Sequence, residues 1–189
     1  TYSPSPVYTL DDIVVAPTGS SDLEGDPISY VFTWFRNGNI DLAYTTDTLP
    51  SAATTRGDTW RVDVAASDGF GEGDVASLTV VVENTPPQVA AASLSPTVAF
   101  ETTSLQCQAS LPQDDDNDSI SFVYVWTVNG NVVPVSSDML DGAYFDKGDT
   151  VQCQLSPFDG VEIGNTVTSS AVTIQNSAPS IGSAIISPQ

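Results

Sequence analysis

The chain has 189 residues, 24 acidic side chains against four basic ones, two cysteines and no histidine, giving a formal net charge of −20. A field of that sign repels nucleic acid and anionic membranes and attracts cations. With no histidine and one lysine, Lys147, a nucleophile–base relay would rest on hydroxyls and carboxylates alone, so the chain reads as no enzyme.

In chain order, turn residues punctuate short segments of alternating polarity. Val15 precedes an acidic run, Asp22-Leu-Glu24-Gly-Asp26, and then a segment with Ile28, Tyr30, Phe32 and Trp34 on one face. Asn37-Gly38 and Gly57-Asp58-Thr59 mark turns on either side of the next elements. Trp60, Val62 and Val64 alternate with Arg61 and Asp63, and Asp68-Gly69 closes that segment. Period-two patterning with one apolar face predicts half-buried antiparallel strands, and no stretch shows a helical period.

The same order then returns. Ile120 to Trp126, Asn129-Gly130, Gly148-Asp149-Thr150 and Asp159-Gly160 repeat the elements of the first half. Asn176-Ser-Ala-Pro179 repeats Asn84-Thr-Pro-Pro87, and Ser187-Pro188 repeats Ser95-Pro96. Trp34 recurs at Trp126, so the period is 92 (126 − 34), with a one-residue slip between. A period of that length means an array of whole domains. The predicted division is 1–84 for a first sandwich lacking the counterpart of Thr85 to Ala92, 85–176 for a second, and 177–189 for the first strand of a third. The chain is thus expected to be a segment of a longer array, with a short, stiff linker at Asn84 to Pro87.

Cys107 and Cys153 lie on apolar faces of two strands, with Trp126 on a strand between them in sequence. A Cys…Trp…Cys order on strands B, C and F is the core pin of immunoglobulin domains. The aligned positions in the first unit are Val15 and Val62. The cysteines are read as a bridge between sheets, which implies an oxidising compartment, or else as two independent buried thiols. The fold class is all-β: two tandem immunoglobulin-like β-sandwich domains plus the first strand of a third repeat.

Before each Trp-bearing strand stands an acidic run, and the second, Asp114-Asp115-Asp116-Asn117-Asp118, is the denser. Acids at alternate positions of a tight loop can aim several oxygens at one centre, as a hard cation such as calcium requires. The candidate ligands are Asp114, Asp116, Asp118 and Asp159 in the second unit and, more weakly, Asp22, Glu24, Asp26 and Asp68 in the first. The alternative is a solvated acidic loop.

Ser21-Asp22-Leu-Glu24-Gly25-Asp26-Pro-Ile28-Ser-Tyr30 through Trp34, then Asn37-Gly38, Gly57-Asp58-Thr59, Ser67-Asp68-Gly69 and Asn84-Thr-Pro-Pro87, resemble the tandem immunoglobulin-like (PKD/cadherin-like) repeats of bacterial extracellular surface proteins. Trp34-Phe-Arg-Asn and Trp126-Thr-Val-Asn depart from the Trp-Asp-Phe-Gly-Asp-Gly of a PKD domain proper. The resemblance implies calcium in the acidic runs and an extracellular or cell-surface stalk or adhesin. The expected function is therefore a structural spacer or fibre segment stiffened by calcium. Its expected partners are neighbouring repeats and, through the tail Ser177 to Gln189, another molecule's first unit. The alternative function is a module that binds a carbohydrate or protein partner directly. Exposed aromatics kept in both units would favour that alternative, but Phe35 aligns with Thr127 and Phe70 with Val161.

Overall fold

The computed structural model describes residues 1–185. It divides into two compact units, one comprising Thr1–Thr85 with Asp114–Asp118, the other Pro86–Gln113 with the chain from Ser119 onward.

In the first unit β1 (Tyr2–Ser3), β2 (Val7–Tyr8), β3 (Ile13–Val15), β4 (Ser29–Arg36), β5 (Asn39–Asp41), β6 (Thr48–Leu49), β7 (Thr59–Ser67) and β8 (Glu72–Glu83) form two sheets. Their orders are β1-β3-β6 and β2-β8-β7-β4-β5. The chain therefore opens on one sheet, crosses to the other and pairs there parallel with the last strand, Val7 opposite Val82. The second unit repeats this with β9 (Ala91–Ser95), β10 (Ala99–Phe100), β11 (Leu105–Ser110), β12 (Ser121–Val128), β13 (Asn131–Val133), β14 (Met139–Leu140), β15 (Thr150–Phe158), β16 (Val167–Thr168) and β17 (Val172–Gln175). Here the orders are β14-β11-β9 and β10-β17-β15-β12-β13, with β16 alongside β15. This is the immunoglobulin-like sandwich, built twice.

Alternation along the strands decides what is buried. Trp34, Trp60, Val62 and Leu49 fill the first core; Trp126, Leu105, Leu140, Val151 and Leu155 fill the second. Trp126 stands opposite Cys153 in the β12–β15 ladder as Trp34 stands opposite Val62 in β4–β7. Each of these two indoles donates to a carbonyl, Trp34 Nε1 to Thr46 O at 2.9 Å and Trp126 Nε1 to Ser137 O at 2.8 Å. Cys107 on β11 and Cys153 on β15 are bonded, with Cα atoms 6.2 Å apart, so the bridge joins the two sheets. In the first unit Val15 and Val62, 3% and 2% exposed, fill the matching positions.

Residues 177–185 carry no strand. A strand exists only where a neighbour pairs its N–H and C=O groups. The counterpart of β9 would be 183–187, which extends past the described residues.

Candidate functional site

The loop Asp114–Asp118 is tight because Asp114 closes it. Its Oδ1 accepts from the N–H groups of Asp116 and Asp118 at 2.9 and 3.1 Å, and Asn117 takes the left-handed conformation, φ 62°. The same closure is made once in the first run, where Asp22 Oδ1 accepts from Asp26 N at 2.9 Å and Gly25 has φ 84°. Asparagine tolerates that backbone region, so Asn117 does the work of the glycine at the matching position.

Asp114, Asp116 and Asp118 each bring a carboxylate oxygen within 4.8 Å of the others. Donors from the first unit hold the group. Thr9 Oγ1 and the N–H of Thr85, the latter at 2.7 Å, bond Asp116, and the Arg56 guanidinium pairs with Asp118 through both Nη atoms. Arg56 also donates to Asn84 Oδ1 at 2.6 Å. One buried oxygen, Asp114 Oδ2, has no hydrogen-bond partner among the described residues. Calcium–oxygen distances of about 2.3–2.6 Å place oxygens around one ion up to about 5 Å apart, so three of the six to eight ligands fit this geometry.

Asp159 lies outside that group. It is buried, and its Oδ1 accepts from Val161 N and Glu162 N, both at 2.7 Å, closing its own turn. Asp68 does the same with Phe70 N and Gly71 N at 2.8 and 2.9 Å. Those bonds, Gly71's first, hold the Asp68 carboxyl below its ordinary range. Asp22, Glu24, Asp26 and Asp68 form no such carboxylate group among the described residues. Glu24 and Asp26 are exposed, while Asp22 and Asp68 share the rim of a shallow depression with Ser21 and Gly73.

Two repeated motifs meet in space, which their separation in sequence conceals. Asn37 Nδ2 donates to Asp58 Oδ1 at 2.8 Å and its Oδ1 accepts from Thr59 N at 2.9 Å. Asn129 repeats both bonds with Asp149 and Thr150 at 2.7 and 3.0 Å. Asn37-Gly38 and Asn129-Gly130 take positive φ throughout, turning the β4–β5 and β12–β13 hairpins while the amide clasps the start of the next long strand. The signal available in sequence was the recurrence of both motifs in step. Among the remaining aromatics, Phe35 lies beneath Arg61, its ring centroid 3.9 Å from the guanidinium carbon; Phe158 is half-buried, Tyr144 exposed and Phe70 90% exposed.

No protein-family model matches the chain, and no curated protein matches it either. Solved structures do. A two-domain fibronectin type-III segment of chicken tenascin is 12% identical over 92% of this chain and 96% of that one, TM-score 0.47. The FN1–FN3 domains of chicken CNTN1 are 10% identical over 87% of this chain and 62% of that one, TM-score 0.37. Domains A168–A170 of titin are 14% identical over 80% and 56%, TM-score 0.39. This chain thus spans less than two thirds of the latter two. The immunoglobulin-like assignment stands on strand order and register, independent of these likenesses.

Proposed function

We propose that the chain is a structural segment of a secreted or cell-surface repeat protein, its sandwiches acting as spacers in a stalk or filament of the bacterial PKD/cadherin-like kind. One observation carries this reading: the motifs that recur in both units do scaffold work in both. The paired tryptophans are core, the Asn-Gly turns clasp the next strand, and the Asp-Gly aspartates cap their own turns. A recognition surface kept by the array would instead repeat an exposed group. The most exposed aromatic, Phe70, stands where the second unit has Val161. The disulfide suits an oxidising, extracellular setting.

The reading is tested by presenting the immobilised chain to polysaccharides and extracellular proteins. A spacer gives no saturable binding; saturable binding abolished by Phe70→Ala would establish a binding module instead. Small-angle scattering tests the short, stiff linker expected at Asn84 to Pro87: a scattering profile that only a flexible tether fits would overturn it.

Calcium enters as part of the proposal, through Asp114, Asp116 and Asp118, supported by their convergence and by the unpartnered Asp114 oxygen. Arg56 opposes it by neutralising Asp118. A ligand bound only by the folded state stabilises by mass action, about 2.7 kcal/mol at a hundred times its dissociation constant. Melting should rise with calcium, fall with chelator, and lose that response in Asp116→Asn with Asp118→Asn. Indifference to calcium would leave a loop held by Arg56, Thr9 and the Thr85 N–H without an ion.

A further inference from the structure

The chain contains two Asn-Gly dipeptides, Asn37-Gly38 and Asn129-Gly130, one in each unit. This is the pair most prone to deamidation, because glycine puts no side chain beside its own backbone nitrogen. That nitrogen attacks the asparagine Cγ while its proton passes to a solvent base. The Cγ–Nδ2 bond breaks, ammonia carries off the amide nitrogen, and water opens the resulting succinimide to aspartate or isoaspartate. Both turns lie open to this chemistry. All four residues are exposed, and a β-carbon on either glycine would meet nothing within 4 Å. Neither glycine N–H is hydrogen-bonded among the described residues.

The asparagine side chain, by contrast, is held at both ends. Asn37 Nδ2 donates to Asp58 Oδ1 at 2.8 Å while its Oδ1 accepts from Thr59 N at 2.9 Å. Asn129 does the same with Asp149 at 2.7 Å and Thr150 at 3.0 Å. A carboxylate can only accept and a backbone N–H only donate, so the amide fits in one orientation. Turning Cγ toward the glycine nitrogen would break both bonds at once, one of them the stronger kind made to a charged partner. The two aspartates are anchored differently. Asp58 is buried, and its Oδ2 pairs with Arg36 Nη2 at 2.6 Å. Asp149 is half-buried, its Oδ2 accepts from Asp146 N at 2.7 Å, and Val128 stands where the first unit has Arg36.

We propose that Asn37 and Asn129 are latent deamidation sites, which Asp58 and Asp149 keep intact by clasping the amide. The protection fails in one direction only. Deamidation of Asn129 removes the donor and sets a second carboxylate against Asp149, and isoaspartate also lengthens the main chain of a two-residue turn. Like charges at hydrogen-bond distance repel, so the clasp does not re-form and the β12–β13 turn loses its tie to the start of β15. Asn129 converts before Asn37, because its aspartate has no guanidinium behind it. The inference goes beyond the spacer reading and does not depend on it, since a binding module with these turns would carry the same two sites.

Peptide mass spectrometry on the full chain, incubated at mildly alkaline pH, tests it by the mass gain of amide-to-acid exchange and by isoaspartate content. Asp149→Ala should deamidate at Asn129 about tenfold or more faster than folded parent protein, the factor one charge-assisted hydrogen bond represents in a rate. Asn37 in the same molecules should keep its parent rate. Asp149→Asn, which keeps an acceptor without the charge, should fall between, and it carries the test where Asp149→Ala does not fold. Cys107→Val with Cys153→Val weakens the second unit but leaves the clasp intact. At a temperature where circular dichroism shows it folded, it should convert Asn129 at the parent rate. Equal rates in folded parent and the Asp149 variants overturn the proposal. So does a slower rate in those variants, which would make Asp149 an aid to the attack, or a cysteine variant that converts Asn129 as fast as they do.

Discussion

Replacing Cys107 and Cys153 together by valine gives the second unit the pair that the first already has at Val15 and Val62. The bond joins positions 46 apart. Removing it restores chain entropy to the unfolded state amounting to about 4 kcal/mol at 25 °C. Valine packs in the equivalent place of the first unit at 3% and 2% exposure, so little should be added for a cavity or for strain. At about 4–8 °C per kcal/mol for a unit of this size, the melting midpoint of the second unit should fall on the order of 20 °C. Calorimetry on the double variant should show this fall in one transition. The transition of the first unit should stay in place. A midpoint lowered by less than about 5 °C would refute the reasoning, because it would mean the loop was already restricted in the unfolded chain.

Asp149 is held below its ordinary 3.8 by the Asp146 N–H first and the Asn129 amide second, so Asn129→Ala should raise its pKa, as a carbon-detected NMR titration would record. With the folded value depressed, its stabilising effect is complete above the unfolded pKa and disappears as pH falls through the folded one. Parent protein should therefore lose more stability on acidification than Asn129→Ala. Asn37 has φ 51°; Asn37→Gly should lose only the clasp, whereas Asn37→Ala should lose about 1–2 kcal/mol more, a difference that denaturant titration would resolve. Gly164→Ala should destabilise the second unit severely or prevent its folding, since Pro87 O occupies the space, while Gly73→Ala should be near neutral by the same assay.

Residue patterning was enough to show the all-β class, the duplication and the core. Side-chain alternation along a strand is a local property, so Trp34, Val62, Trp126 and Cys153 could be assigned to inward faces before any partner was known. Whether Cys107 and Cys153 form a bridge or remain two buried thiols stayed open in the sequence, and the packing of the sheets that sets their Cα atoms 6.2 Å apart decided for the bridge. The clasp between Asn37 and Gly57-Asp58-Thr59 escaped, although both motifs were visible, because nothing in a period reveals which turns meet. The metal candidates show the same limit more sharply. Loop spacing foretold that Asp114, Asp116 and Asp118 would converge, since their geometry is set within five residues. It did not foretell that Asp159 and Asp68 would spend oxygens on their own turns, nor that Glu24 and Asp26 would stand in solvent. Arg56 and Thr9, 62 and 107 positions away from their partners, carried no sign of that role in sequence. Long-range packing assigns that role, because what neutralises a carboxylate depends on which distant donor the folded chain brings within hydrogen-bond reach.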